Sequence, residues 1–317
     1  MAKRRTFLKS AGAAGAVGLS GLSGCIGQFG SNQAYGNGTV RFLMSPTEEQ
    51  ETMRAQYQPV QERLDNYIED ADAEVQFAAN YSATLEALNS GTAEVAETGP
   101  FAAALGADTD RAEIALQRQA YGGWTYGSYL ITTPDSDIES TEDLEGKTIA
   151  FADALSASGS LYPLSLLADA GLSVPDSPGN DRGADFSANW STHERALESL
   201  LNGQADAAGV GAFIATNDNN EFRDDLKEID SRDGIPRAPI LVAPGLSDDQ
   251  KDQIISAFTE APDEMYYGED DEEGTDDDLW FDGVRERGAD TYQPVIEAAN
   301  KLGYGEEIFG DSTTTEE

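Results

Sequence analysis

The stretch KTIAFADALSASGSLYPLSLLADAGL, residues 147–172, carries the clearest structural signal in the chain. It begins with a short apolar strand pattern at 147–151, passes through a serine-rich turn and continues as a helix whose leucines recur at helical spacing. A strand that leads directly into a helix is the building unit of α/β proteins. Because the same alternation recurs from Thr39 onwards, we predict an α/β fold.

The helices and strands predicted on either side of that stretch form two α/β units. Three helix starts show a Ser followed three residues later by Glu or Gln, which predicts a capping box: Ser45 with Glu48, Ser191 with Glu194, and Ser247 with Gln250. Extended segments near Tyr129 and Ala238 join the two units. This pattern predicts a hinged pair of lobes with a ligand cleft between them.

The composition excludes several kinds of chemistry. The 317 residues hold 59 Asp plus Glu against 20 Lys plus Arg, a net charge of −39, which argues against nucleic acid as a partner. One Cys and one His cannot form a disulfide, a Cys/His zinc site or a Cys/His catalytic couple. We therefore expect no enzyme, no metal and no cofactor. The acidic balance resembles that of proteins from extreme halophiles, whose carboxylate-rich surfaces stay soluble in molar salt.

The first 25 residues have the order of an export signal: a basic start, small apolar residues, then Cys25. Arg4 and Arg5 resemble a twin-arginine signal, and LSGC at 22–25 resembles a lipobox that ends in a lipidated Cys. A membrane anchor with an incidental Cys would need a longer apolar span. We predict a lipoprotein on the outer face of the cytoplasmic membrane, with a flexible tether over 26–38.

The serine-rich turn at 156–160 could bind an anion. Ser156, Ser158, Gly159 and Ser160 lie between a strand and a helix, where free backbone N–H groups and the positive end of the helix dipole converge. The serine hydroxyls can donate to oxygens of an anion, and Gly159 allows close approach of the backbone. An ordinary helix cap would leave the same pattern.

Six segments in this order and spacing resemble the phosphate/phosphite/phosphonate-binding proteins of ABC importers. They are RFLMSPTEE from Arg41, NYSATLEALNSGTAEVAETGP from Asn80, YGSYLITTPDSDIESTEDLEGKTIAFAD from Tyr126, SASGSLYPLSLLADAGL from Ser156, HERALESLLNGQADAAGV from His193 and IPRAPILVAPGLSDDQKDQI from Ile235. The resemblance implies a type II periplasmic-binding fold with a cleft between two lobes joined by two crossover strands. It divides the chain into lobe 1 at 39–131 plus 239–310, lobe 2 at 132–238, and a disordered acidic tail at 311–317.

The resemblance also implies a set of ligand contacts: Tyr81, Tyr126, Ser156, Ser158, Gly159, Ser160, His193 and Ser45. From the residues alone, the tyrosines could equally be core aromatics, and His193 could be an exposed residue that does not contact a ligand. His193 lies in a helix's first turn, where the dipole disfavours the charged ring, so a neutral ring could donate to the ligand. Ser45, Thr47 and Thr98 follow strands, where α/β proteins bind ligands. Ala157 replaces the family's usual Thr.

Acidic residues that hold the ammonium in aminophosphonate binders of this family are replaced here by Phe213 and Ala238. The expected ligand is therefore phosphate, phosphite or a small phosphonate, with Asp153 or Asp206 accepting from a protonated oxyanion. The implied partners are an ABC permease and ATPase, with the binding protein as a monomer. The alternative is a surface lipoprotein that senses a ligand or acts as a scaffold with the same fold.

Overall fold

Strands and helices alternate from residue 39 onwards, as the apolar spacing predicts. The computed structural model describes residues 35–45, 50–69, 71–217, 221–305 and 308. The predicted export signal with Cys25, most of the tether, Thr47, Glu48 and the acidic tail lie outside them. Among the described helices, none combines the length and apolar character that a membrane span requires.

The elements have the following bounds. The strands are β1 (Thr39–Met44), β2 (Asp72–Phe77), β3 (Val95–Glu97), β4 (Glu113–Gln119), β5 (Thr125–Thr132), β6 (Thr148–Phe151), β7 (Ser187–Trp190), β8 (Ala207–Gly211), β9 (Lys227–Pro236), β10 (Pro239–Val242) and β11 (Gly283–Glu286). The helices are α1 (Tyr35–Gly38), α2 (Gln50–Tyr67), α3 (Tyr81–Ser90), α4 (Pro100–Asp108), α5 (Tyr162–Asp169), α6 (His193–Leu201), α7 (Ala212–Ala215), α8 (Asp248–Thr259) and α9 (Gln293–Leu302).

The strands form two sheets. The first sheet has the order β11-β4-β10-β3-β1-β2, and the second has the order β7-β6-β8-β5-β9. Strand β5 pairs antiparallel with both β8 and β9, so it belongs to the second sheet. The predicted first lobe extends to residue 131, whereas the chain leaves the first sheet after Gln119 and enters the second at Thr125.

Two short crossovers join the sheets, at 120–124 and 237–238. The Arg237 backbone N–H donates to the Trp124 carbonyl at 3.0 Å, and the Gln117 side chain donates to the same carbonyl at 2.8 Å. The crossovers are thus bonded to each other and to strand β4 of the first sheet. A change in the angle between the sheets must pass through these few residues.

Three segments of the structure differ from what the sequence predicts. The predicted tether ends before Tyr35, which is buried and donates its hydroxyl to the Gln250 carbonyl at 3.1 Å. The hydroxyl of Ser45 donates to the Glu97 carbonyl at 3.0 Å, and the described part of helix α2 starts at Gln50. Helix α6 is capped by the Thr192 side chain rather than that of Ser191, because Thr192 accepts from the backbone of the first turn.

The apolar interior extends from one sheet to the other. One cluster of buried side chains includes Leu85 and Phe101 beside the first sheet, and Phe151 and Leu164 beside the second. Such continuous burial favours a close approach of the two sheets. Polar residues of both halves, such as Thr98 and Ser158, are buried as well.

Candidate functional site

A cavity of about 340 Å³ lies where residues following β3, β6 and β8 meet the two crossovers. From the first sheet and its helices, the wall contains Tyr81, Glu97, Thr98, Gly99, Pro100, Arg118 and Trp280. From the crossovers and the second sheet, it contains Tyr121, Tyr126, Ser156, Ser158, His193, Glu194, Phe213, Ile214, Arg237 and Ala238. Both sheets therefore contribute polar groups to one cavity.

The serine-rich turn forms one side of this cavity. Residues Ala157–Leu161 make a wide helical turn that runs into α5, and the Ser156 side chain accepts from the Gly159 N–H at 3.1 Å. The Ser128 hydroxyl on β5 donates to the Ser158 carbonyl at 2.7 Å. The turn is thus held by its own cap and by the neighbouring strand, with Ser156 and Ser158 at the cavity wall.

His193 is buried beside the serine-rich turn and also contributes to the cavity wall. The Gly211 N–H donates to Nδ1 at 3.2 Å, and Nε2 lies 3.1 Å from Ser156 Oγ. Because Nδ1 accepts, the proton of a neutral ring lies on Nε2 and is donated to Ser156. Ser156 Oγ also accepts from Gly159, so its own hydrogen remains available to a ligand. The predicted direct donation from His193 to a ligand is replaced by support of Ser156.

Burial lowers the pKa of His193 to about 4. The prediction of a neutral ring agrees with this direction, although the cause is loss of solvation rather than the helix dipole. An unfolded His has a pKa near 6.5, so unfolding takes up a proton between these values. Neutral His193 therefore makes its full contribution to the free energy of unfolding above about pH 6.5. We expect about 3 kcal/mol of that contribution to be lost as the pH falls to about 4.

The chain contains one His, so this loss can be assigned to a single residue. Urea unfolding of the protein and of His193→Gln, each at pH 7 and pH 4.5, separates it from carboxylate titration, which both proteins share. Relative to His193→Gln, the parent protein should lose about 2–3 kcal/mol of its free energy of unfolding between pH 7 and pH 4.5. An equal difference at both pH values would contradict the buried neutral ring.

Two tyrosines contribute phenol groups from opposite sides. Tyr81 begins α3 after the Asn80 cap, and burial raises its pKa well above the ordinary range. Burial raises the pKa of Tyr126 to about 12, although the neighbouring Ser158 side chain and the Arg237 charge oppose this shift. Both phenols stay protonated at neutral pH. Each can donate to an anion without adding negative charge.

Three predicted contact residues do not line the cavity. The Ser45 hydroxyl lies 3.1 Å from Thr84 Oγ1 and donates to the Glu97 carbonyl. Ser160 Oγ accepts from Trp190 Nε1 at 3.0 Å, and both Ser45 and Ser160 are fully buried. Gly159 lies behind the wall, where a Cβ would overlap that of Ala152 and come within 2.7 Å of His193 Cε1. These residues support the wall instead of facing its contents.

The two predicted acceptor carboxylates are also absent from the wall. Asp153 accepts from the Leu155 N–H at 2.8 Å, and burial raises its pKa. Asp206 accepts from the Thr148 N–H at 2.8 Å and holds the start of β6. Among the described residues, no group of three or more His, Cys, Asp or Glu side chains is placed to hold a metal ion.

The wall contains a buried ion pair that the sequence analysis missed. Glu97 ends β3 and Arg118 lies on β4, and the Arg118 guanidinium bonds Glu97 Oε2. The Tyr57 hydroxyl donates to the same oxygen at 2.9 Å, while Arg118 lies 4.1 Å from the centre of the Trp280 ring. Charged residues inside apolar strand patterns were the available signal, since such residues are rarely buried unless paired.

Arg237 brings a second positive charge to the cavity, also missed from the sequence. Its Nε donates to the Gly123 carbonyl at 3.1 Å, and its guanidinium lies 5.4 Å from the Tyr121 ring centre and 5.7 Å from that of Tyr126. It forms no direct ion pair among the described residues, although the Asp282 carboxylate acts on its charge from further away. A cation held over aromatic rings without a directly bonded carboxylate is suited to bind an anion.

Three buried polar atoms of the described side chains have no hydrogen-bond partner: Glu97 Oε1, Thr98 Oγ1 and Ser158 Oγ. All three residues line the cavity. Buried polar atoms are nearly always paired in folded proteins, so unpaired ones concentrated in one place point to a bound molecule. Two hydroxyls and one carboxylate oxygen define the hydrogen bonds that this molecule must complete.

Residues 42–292 match the family model described as ABC transporter, phosphonate, periplasmic substrate-binding protein. A curated relative, the phosphate-import protein PhnD of Mycolicibacterium smegmatis, is 29% identical over 181 residues, 53% of this chain and 54% of the relative. The match thus spans about half the length of that relative.

Solved structures share the fold. A binding protein component of an ABC phosphonate transporter from Pseudomonas aeruginosa has a TM-score of 0.67 at 22% identity, over 84% of this chain and 86% of that chain. PhnD1 from Prochlorococcus marinus, in complex with methylphosphonate, has a TM-score of 0.65 at 13% identity, over 84% and 98%. These likenesses confirm the predicted mixed α/β fold of the type II periplasmic binding proteins.

Proposed function

Because the chain belongs to the family of periplasmic substrate-binding proteins of phosphonate ABC transporters, we propose that it captures a small oxyanion for an ABC importer. The ligand is phosphate, phosphite or a small phosphonate. The names of two relatives support this choice, since one is a phosphate-import protein and another was solved with methylphosphonate. The receiving partners are a permease and its ATPase, and the protein acts as a monomer.

The observation that carries the proposal is a pair of buried hydroxyls without partners, one on each side of the cavity. Ser158 follows β6 of the second sheet, and Thr98 follows β3 of the first. A hydroxyl with a free hydrogen donates to an oxyanion oxygen, and a bond to a charged acceptor is stronger than one to a neutral acceptor. The same cavity contains the phenols of Tyr81 and Tyr126 and the unpaired Arg237 charge. These groups together provide an oxyanion with donors from several directions.

Capture is proposed to work by closure of two lobes. One lobe is the first sheet with its helices, and the other is the second sheet at 125–236. Ser156 and Ser158 hold the oxyanion on the second sheet, while Tyr81 and Thr98 reach it from the first. Since only the closed arrangement completes all these bonds, the ligand favours closure. Arg237 lies in a crossover, so its contact with the ligand acts at the hinge itself.

The proposal includes lipid anchoring at Cys25 after twin-arginine export, with the protein at the outer face of the cytoplasmic membrane. Its support is the order of the first 25 residues. With a net charge of −39, the surface as a whole repels anions. Molar salt screens this repulsion within about 3 Å, and the local donors of the cavity then control binding.

Calorimetry tests the function on the chain without its first 25 residues, in molar KCl. The titrants are phosphate, phosphite, methylphosphonate, aminoethylphosphonate and sulfate. One of the first three should give a binding signal. Ser158→Ala and Tyr126→Phe should each weaken the affinity for that ligand by about tenfold to hundredfold, which corresponds to the loss of one hydrogen bond to a charged group.

Matched controls are Ser90→Ala and Tyr67→Phe, whose hydroxyls bond Glu86 and Glu260 away from the cavity. These controls should bind like the parent protein. Failure of all five titrants to bind the parent protein would reject the oxyanion function. Equal weakening by controls and cavity variants would reject the site.

A further inference from the structure

The two carboxylate oxygens of Glu97 have different surroundings. Oε2 receives the Tyr57 hydroxyl at 2.9 Å and the Arg118 guanidinium. Oε1 has no partner, although the residue is only 1% exposed and lines the cavity. Arg118 and Tyr57 thus fix one oxygen, and the other oxygen of this cavity-lining residue is left without a hydrogen-bond partner.

A carboxylate oxygen can accept hydrogen bonds but cannot donate them. The oxygens of a fully deprotonated oxyanion have the same restriction, so they would meet Oε1 without a hydrogen between them. A hydrogen bond forms there only if the ligand supplies the proton. Thr98 Oγ1 has no hydrogen bond, so it does not satisfy Oε1.

We propose that Glu97 is the specificity residue that selects oxyanions carrying a proton, by accepting a hydrogen bond from a P–OH group of the ligand. This inference rests on the proposed oxyanion function and names the ligand's protonation as the property recognised. Hydrogenphosphate and a singly protonated phosphonate meet the requirement. Sulfate, which has a similar size and charge but no proton at neutral pH, does not.

An ammonium group could also donate to Glu97 Oε1, so aminoalkylphosphonates are the chemical alternative. The position of Arg237 argues against them, because its charge lines the same cavity and is not neutralised by an ion pair among the described residues. Arg118 adds a second positive charge beside Glu97. The other carboxylate of the wall, Glu194, is exposed, so solvent weakens its attraction for a cation, whereas the partly buried charge of Arg237 favours an anion.

Titrations with phosphate and sulfate test the inference in the protein without its first 25 residues. We expect phosphate to bind at least about a hundredfold more tightly than sulfate, comparable to the discrimination that unpaired buried polar groups produce. In Glu97→Gln, the side-chain carbonyl should keep the bonds from Arg118 and Tyr57, so that the NH2 group faces the cavity. The ratio of the two affinities should then fall by about 30-fold or more, since the amide donates where the carboxylate accepted.

The ratio is measured on one preparation of each variant, so a partly unfolded sample lowers both affinities and leaves the ratio unchanged. Glu94→Gln is the matched control, because Glu94 is a buried glutamate paired with Arg41 and lies outside the cavity wall. Its ratio should equal that of the parent protein.

The parent protein alone can overturn the inference if Glu97→Gln does not fold. Equal binding of phosphate and sulfate would remove the role of Glu97 while leaving the oxyanion function intact. Tighter binding of aminoethylphosphonate than of methylphosphonate would assign Glu97 to an ammonium and also overturn it. If no oxyanion binds, the proposed function itself fails.

Discussion

Arg118→Met is expected to lower the free energy of unfolding by about 3–5 kcal/mol, the cost of leaving one partner of a buried ion pair without the other. Glu97 is almost completely buried, and without Arg118 only the Tyr57 hydroxyl would stabilise its charge. The substitution also removes the guanidinium from the face of Trp280. The melting temperature should fall by about 6–15 °C.

Two comparisons show whether the uncompensated charge causes the loss. The double variant Glu97→Gln with Arg118→Met contains no buried charge at this position and should regain most of the stability. Arg41→Met breaks the other buried glutamate pair, but the Arg41 side chain is 21% exposed, so water can reach Glu94 and the loss should be smaller. Denaturant unfolding in molar KCl measures all four proteins. An Arg118→Met protein as stable as the parent would contradict the argument.

Local signals in the sequence predicted the elements whose ends are fixed by nearby residues. Helix α8 begins with the predicted capping box of Ser247 and Gln250. Helix α3 ends at Ser90 and is capped by Gly91, whose φ of 71° suits glycine. Each of these ends depends on side-chain and backbone hydrogen bonds within four residues, which the sequence displays directly.

Elements fixed by distant contacts were not predictable in this way. Helix α4 has seven buried residues among its nine, so it lacks the polar face that marks an amphipathic helix. The sheet to which β5 belongs depends on pairing with β8 and β9, which lie some 80 and 100 residues further along the chain. Hydrophobic alternation identifies a strand but does not identify its neighbours.

The residues of the candidate site also divide into those that nearby sequence identifies and those whose role depends on distant contacts. The serine-rich turn and the two tyrosines could be identified from contiguous motifs, and the structure brings Ser156, Ser158, Tyr81 and Tyr126 to one cavity. Glu97 and Arg118 come from separate strands, and their pairing arises only when β10 lies between them in the sheet. A charge in a strand could be seen in the sequence, but its partner could not.

Gly159→Ala should weaken ligand binding by about a hundredfold or more while leaving the protein folded. A Cβ at this position overlaps that of Ala152 and lies 2.7 Å from His193 Cε1, so the serine-rich turn and the imidazole must move apart. The expected loss of stability is about 1–3 kcal/mol, the range for overpacked cores. Displacement of Ser156 and Ser158 removes at least two hydrogen bonds to the oxyanion, which corresponds to about a hundredfold weaker binding or more.

Two variants distinguish this displacement from a general effect of adding a methyl group to a glycine. Gly245→Ala places its Cβ where no atom lies within 4 Å, so it should bind the ligand like the parent protein. Combining Gly159→Ala with Ala152→Gly removes one of the two overlaps and should restore part of the affinity, while the contact with His193 keeps it below that of the parent. Unchanged calorimetric affinity in Gly159→Ala alone would show that the turn can shift without moving its hydroxyls, and the assignment of Ser156 and Ser158 as ligand donors would then fail.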